Sequence, residues 1–253
     1  MIGYYAPGDG IGHLTRAMAV QHTLNLPVIT ILSDSPHARD ARITGNNPIH
    51  PLAAFNDYDR LYTDAFPAGI NGELANYRGD TVHIARRLHW QRYKAKITAS
   101  PQIKTVFFTE MVDESQSAWL KAKSESWQNL ELTDPPAPDF LQPKLPDRFW
   151  LIVAGYPAND TQQLIFDAYL QKCSHVPLIL ASLTPDVYDT APVDAIINVY
   201  PILPLFETAE RIFVSCSQAA FRQTKPYRHK THYRVFNPGY DNHHARLTME
   251  IAL

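Results

Sequence analysis

The sequence predicts an α/β fold built as two similar halves, each a parallel sheet flanked by helices. Three observations predict it. Short apolar, β-branched runs alternate with helically spaced apolar residues along the whole chain. Each half opens on an apolar run that ends at a glycine turn: Ile2 to Ala6 before Gly8, and Phe149 to Ala154 before Gly155. Between the halves lies the densest proline stretch, Asp134-Pro135-Pro136-Ala137-Pro138 with Pro143 and Pro146, a stiff linker composition. The expected boundaries are 1–136 for the N-terminal domain, 137–146 for the linker and 147–253 for the C-terminal domain.

The elements follow in order. Ile2 to Ala6 reads as a strand. Leu14, Ala17, Met18, Val20 and Leu24 recur at helical spacing, and Pro27 ends that helix. Val28 to Leu32 is a buried strand rich in β-branched residues. Ile49 to Phe55 reads as a further short strand. Asn76 to Ala99 is a long helix candidate, with Ile84, Leu88, Gln91 and Ala95 on one side. Lys104 to Phe108 is a strand, and Asp113 to Trp127 a helix with an acidic first turn, followed by Leu130-Glu131-Leu132. In the second half, Phe149 to Ala154 is a strand. Asp160 or Thr161 caps a helix running to about Lys172. Leu178 to Ala181, Ala195 to Val199 and Arg211 to Val214 are strands. Ser215 to Phe221 opens a helix, Tyr233 to Phe236 is a strand, and His243 to Leu253 is helical.

Composition narrows the class. The 253 residues are 45% hydrophobic and 19% charged, enough to build a core without covalent staples. A net charge of −2 excludes the basic excess of a nucleic-acid binder. Cys173 and Cys216 make neither a disulfide framework nor a zinc spacing; buried, inert thiols in a reducing compartment are expected. No apolar stretch approaches the roughly 20 residues that span a bilayer. No basic segment precedes a long apolar run at the N-terminus, which predicts no secretory leader. A cytoplasmic chain with at most peripheral membrane contact is the expectation.

The chemistry-bearing segment is Gly8-Asp9-Gly10-Ile11-Gly12-His13-Leu14-Thr15-Arg16. A glycine-rich turn between a strand and a helix exposes backbone N–H groups at a positive helix end, where phosphate binds. It also places one imidazole, His13, on the turn. The helix dipole disfavours the charged ring, so a neutral base is expected; a bound diphosphate would act the other way. The competing reading has His13 capping or packing at a domain interface. Arg16, one turn on, suits a phosphate or a carboxylate partner, or a surface ion pair. The G-x-G-x-G spacing departs from the dinucleotide fingerprint, which has its third glycine one residue later; Asp34 after the second strand is what that reading would use.

Gly10 to Ala17 resembles the G-x-G-H-x-x-R-A opening of the GT-B-fold nucleotide-sugar glycosyltransferase family. That group includes the N-acetylglucosaminyltransferase of the peptidoglycan precursor and a UDP-sugar hydrolase of the pseudaminic acid pathway. The resemblance implies two Rossmann-like domains with parallel sheets facing a central cleft. It implies a nucleotide-diphosphate sugar donor, a hydroxyl acceptor that includes lipid-linked candidates, and no metal or cofactor. His13 would be the catalytic base, supported by Arg16, with Gly10 and Gly12 shaping the turn beside the phosphate. The C-terminal half would hold the donor: Ser215, Ser217, Gln218 and Ala219 at a helix start facing the diphosphate, and Asp241, Asn242 and His243 facing sugar hydroxyls. The chain departs from the pattern at Gln218, where the family has glycine. Arg222, Gln223 and Thr224 stand where an acidic residue grips ribose, and His243 or His244 stands where glutamine is usual. Transfer to a hydroxyl, hydrolysis with water on the same His13 base, and a non-catalytic sugar-nucleotide or partner-binding module are the three functions these residues leave open.

Other patterns read blandly. Asp57-Tyr58-Asp59 matches a D-x-D metal motif, but a three-residue match is cheap. Asp241 with His243 and His244 is a weak ligand set, because adjacent helical residues diverge. Arg86, Arg87, His89, Arg92, Lys94 and Lys96, interleaved with Trp90 and Tyr93, form the most basic stretch; a solvated helix face is expected there, ahead of a membrane or anionic-acceptor contact.

Overall fold

A computed structural model describes residues 1–137, 143–155, 158–172, 175–188, 190–236 and 239–251. The expectations for Cys173, for Tyr156 and Pro157 after Gly155, for the middle of the linker and for the last helical residues lie outside them. The chain divides into two compact units. The first is Met1–Pro135 with Asn237–Asn242; the second is Pro136–Phe236 with His243–Leu253. The segment Asn237–Asn242, expected with the second half, thus belongs to the first.

The first unit runs β1 (Ile2–Tyr5), α1 (Gly12–Thr23), β2 (Thr30–Leu32), α2 (Ala41–Thr44), β3 (Ile49–His50), β4 (Arg60–Asp64), β5 (Asp80–Ala85), α3 (Trp90–Lys94), β6 (Ile103–Phe108), α4 (Glu114–Ala122) and β7 (Ser124–Asn129). Its seven strands lie in the order β3-β2-β1-β4-β5-β6-β7, every pair parallel. Helices pack on such sheets, so inner strands are apolar on both faces: Tyr4, Tyr5 and Ala6 are all buried. α1 buries Leu14, Ala17 and Val20 on its sheet side.

Three expectations are corrected here. The helix expected over Asn76 to Ala99 is the strand β5 followed by the short α3. Ile84 and Leu88 sit at helical spacing, but Thr81, Val82 and Ile84 are β-branched and buried in the sheet. The strand expected over Ile49 to Phe55 stops at His50, and Leu52–Asp57 is a 3-10 turn. The helix expected to Trp127 ends at Ala122, and β7 follows. β7 is an exposed, polar edge strand, so it lacks the apolar signal.

The second unit runs β8 (Trp150–Val153), α5 (Ala158–Gln171), β9 (Leu178–Ala181), β10 (Ala195–Ile197), α6 (Leu203–Thr208), β11 (Arg211–Ser215), α7 (Gln218–Gln223), β12 (Thr231–Arg234) and α8 (His243–Ile251). Its five parallel strands take the order β10-β9-β8-β11-β12. The alternation of strand side chains sorts the core into two layers. Trp150, Ile152, Leu178, Leu180 and Phe213 pack with Leu164, Ile165 and Ala168 of α5. Phe149, Leu151, Ile179, Ile212 and Val214 pack with Leu205 and Phe206 of α6. Both units are therefore doubly wound, Rossmann-like sheets. β12 lies two residues earlier than expected, and α7 starts at Gln218 because Ser215 still belongs to β11. Among the described residues, no helix is long and apolar enough to cross a membrane.

Candidate functional site

In the first sheet, strand order reverses at β1, which has β2 on one side and β4 on the other. Ligands of open parallel sheets bind outside the carboxyl ends of the strands at such a switch point. The glycine turn leaves β1 there, and β4 ends beside it at Asp64.

Asp64 is fully buried, and its two oxygens are both engaged. Oδ2 lies 2.8 Å from His13 Nδ1, and Oδ1 accepts from Arg16 Nε at 2.7 Å. The helical spacing of His13 and Arg16 puts both on one face of α1, and that face meets Asp64. Burial would raise the Asp64 carboxyl, but the Arg16 guanidinium and the His13 ring outweigh it and hold the group well below the carboxylate range. The Arg16 guanidinium loses solvation by burial, yet Asp64 raises its pKa on balance. Burial pushes the His13 imidazole below its ordinary value; Asp64 opposes this, and Arg16 and Arg86 add to the lowering. A carboxylate can only accept, so the proton of the neutral ring sits on Nδ1. Nε2 is left with its lone pair.

The Nε2 edge faces the glycine turn. A Cβ added at Gly8 would lie 3.7 Å from His13 Cδ2 and 3.8 Å from Nε2. Gly8 has φ of +102°, so the turn needs glycine there. Gly12, expected with Gly10 beside the phosphate, is the first residue of α1, and a Cβ there would have no atom within 4 Å. No side chain caps the N-terminus of α1, which leaves its first N–H groups available. On the other side of His13, Phe66 stacks with ring centroids 6.2 Å apart and planes at 23°.

Further along the same sheet edge, Arg86 Nη1 pairs with Asp241 Oδ1 at 2.8 Å. Asp241 also bridges to Leu88, His89 N–H donates to Tyr240 O at 2.7 Å, and Arg92 donates to Gly239 O at 3.0 Å. Asp241 and Asn242, expected beside a donor sugar in the second half, sit in the first unit, with Asp241 tied to the segment that follows β5. The basic stretch is corrected too. Arg86 and Arg87 are buried, with Arg87 donating to Met111 O, and Trp90 is core; only Arg92, Lys94 and Lys96 remain a solvated face. An open depression of about 1010 Å³ lies over the loops after β5 and β6, lined by Trp90, Arg92, Asp113, Gly239 and Asn242 among others. Neither His13 nor Asp64 lines it.

In the second unit, the order reverses at β8, between β9 and β11. Ser215 ends β11, Ser217 is the N-cap of α7 and makes no side-chain cap bond, and Gln218 and Ala219 open that helix. Gln218 is buried. Arg246 donates to Cys216 O at 2.8 Å, beneath the same turn. His243 is buried, and its Nδ1 accepts from Phe236 N–H at 3.3 Å. Cys216 is buried and in no disulfide. Tyr58 of the D-x-D match is buried with its hydroxyl 2.9 Å from His50 Nδ1, and Asp59 pairs with the amino group of Met1. Among the described residues, no group of three or more His, Cys, Asp or Glu could hold a metal.

Sequence reading missed Asp64 and Phe66. The available signal was a carboxylate closing the run Arg60-Leu61-Tyr62-Thr63, three residues before Pro67. No protein-family profile matches the chain, and no curated protein does. Among solved structures, the glycosyltransferase SnogD from Streptomyces nogalater is similar over 88% of this chain and 80% of that one, at 13% identity and a TM-score of 0.45. No residue role follows from a likeness of that degree.

Proposed function

We propose that the chain is a cytoplasmic, metal-independent glycosyltransferase using a nucleotide-diphosphate sugar, with His13 as its base. The observation that carries this reading is the buried Asp64 carboxylate holding His13 Nδ1 at a sheet switch point. His13 Nε2 takes the proton of the acceptor hydroxyl as that oxygen attacks the anomeric carbon. The bond from sugar to diphosphate breaks, and its electron pair leaves on the phosphate oxygen. Asp64 stabilises the imidazolium that forms, and Arg16 fixes Asp64. Ser215, Ser217, Gln218 and Ala219 supply hydroxyl, amide and backbone donors where diphosphate charge develops. The resemblance of Gly10 to Ala17 to the GT-B group supports the same assignment.

Water fits the same base, because His13 needs only an O–H to deprotonate; hydrolysis is the second reading. One experiment separates them. The protein is incubated with UDP-, GDP- and TDP-sugars, with and without a cell-extract acceptor fraction, and nucleotide release is measured. Release that requires the extract supports transfer. Release without it supports hydrolysis. No binding of any nucleotide sugar at millimolar concentration sinks both.

A further inference from the structure

We infer that Ala65 is a positioning residue for His13: its left-handed backbone sets Asp64 and Phe66 against two sides of one imidazole. The inference rests on the reading of His13 as the base. Among the described residues, two that are not glycine have positive φ, Asn25 at 49° and Ala65 at 67°. Asn25 follows α1, and asparagine tolerates that region. Ala65 has no polar side chain to compensate and is fully buried.

The hydrogen bonds define what Ala65 does. Phe66 N–H donates to Asp64 O at 2.8 Å. A bond from residue i+2 back to residue i, around a centre with positive φ, is the rare and strained form of the γ-turn. Such strain persists only where the surroundings over-determine it. They do here. Ala65 N–H is held by Ile84 O of β5 at 3.0 Å. Asp64 is held by His13 and Arg16. The Phe66 ring packs on Tyr93 at 5.3 Å and on Tyr240 at 5.6 Å.

The geometric consequence is specific. In an extended strand, residues 64 and 66 would project side by side from one face and stay apart. The γ-turn folds the chain back within one residue. Asp64 then meets the Nδ1 edge of His13 while Phe66 covers the ring face at 6.2 Å. A one-residue turn thereby sets both the tautomer and the orientation of the base. Alanine, with a single methyl group, bears positive φ with less strain than a β-branched residue, which is a steric outlier there.

The test reads His13 directly, by long-range ¹H–¹⁵N spectra over a pH series, with no substrate needed. Wild type is expected to show the Nδ1–H tautomer. A65G keeps it, because glycine takes positive φ freely. A65V loses it, and kcat falls at least tenfold while KM stays within threefold. If wild-type His13 lacks the Nδ1–H form, the reading of the base itself fails. If wild type has it and folded A65V retains it, only the role of Ala65 fails. Loss of the signature in A65G also overturns that role. Should A65V not fold, A65N and A65T add similar bulk but differ in tolerance of positive φ. A higher unfolding midpoint for A65N supports the inference, and an equal or lower one overturns it. If neither folds, the tautomer in A65G decides.

Discussion

Asp64 Oδ2 lies 2.8 Å from His13 Nδ1, although 51 residues separate the two in the chain. The same carboxylate holds Arg16 at 2.7 Å, and all of it is buried. On the proposed mechanism, catalysis and stability meet in one side chain. Asp64→Asn removes the charge that orients His13 and that pairs with the buried Arg16 guanidinium. Turnover should fall by about ten-thousandfold, the scale set by loss of the orienting carboxylate in other histidine-based sites. Stability should fall by about 3 kcal/mol, because a broken buried pair strands a charge. Nucleotide-sugar turnover and urea unfolding measure the two effects; turnover within tenfold of wild type removes Asp64 from the mechanism.

His13→Ala should behave in the opposite proportion. Its side chain is partly open to solvent, at 15% exposure, and Asp64 keeps Arg16 when the ring is gone. Unfolding should shift by only about 1 kcal/mol, the scale of one hydrogen bond, while turnover disappears and nucleotide-sugar affinity holds within threefold. In wild type the acid limb of kcat/KM should fall below the ordinary imidazole value, since burial lowers the His13 pKa against the pull of Asp64. An acid limb above that value contradicts the assignment of His13.

Arg86 and Asp241 make a second testable pair. Their side chains are 7% and 13% exposed, so the ion pair is screened far less than one on the surface. Together with the His89–Tyr240 bond, it holds residues 239–242 in the first unit. A double-mutant cycle of Arg86→Ala and Asp241→Ala should give a coupling of about 1–3 kcal/mol in urea unfolding. Additive losses would mean that the two side chains act independently. Asp241→Asn should then cost stability more than it changes KM for the donor; a large KM change with unaltered stability supports the sugar-binding expectation instead.

The sequence made the His13 turn legible because every part of it is local: a strand, a glycine-rich loop and a helix start lie within a few residues. Asp64 was not legible, because it becomes a partner of His13 only through the pairing of β1 with β4, a non-local choice. The segment at β5 shows a different limit. A strand buried on both faces has no alternation to display, and Ile84 and Leu88 happened to fit a helical period. β7 failed for the reverse reason, as a polar edge strand with little to bury. Asp241 was assigned by chain order to the second half, while the fold returns residues 237–242 to the first. The strand–helix alternation, and hence the fold class, survived these errors because it rests on many elements rather than on any one.

His83 makes the pH dependence of stability predictable. It lies fully buried in β5 with Nδ1 2.9 Å from Thr63 Oγ1 and 3.1 Å from Thr63 O, and Nε2 has no hydrogen-bond partner. Burial lowers its pKa to about 4, against smaller opposing effects of Asp64 and the Thr63 backbone. The unfolded chain holds an ordinary histidine, near pH 6.5. Between those values the unfolded state binds more protons than the folded one, so stability falls as pH falls, and the loss levels off below about pH 4. Its full size is about 3 kcal/mol, most of it gone by pH 4.5. Asp64, held well below its usual range, adds its own loss only at still lower pH. Urea unfolding at pH 7, 5.5 and 4.5 measures the slope. His83→Asn keeps a donor for Thr63 O but cannot be protonated, so it should flatten most of the profile. A variant with the wild-type slope would assign the acid sensitivity to other groups.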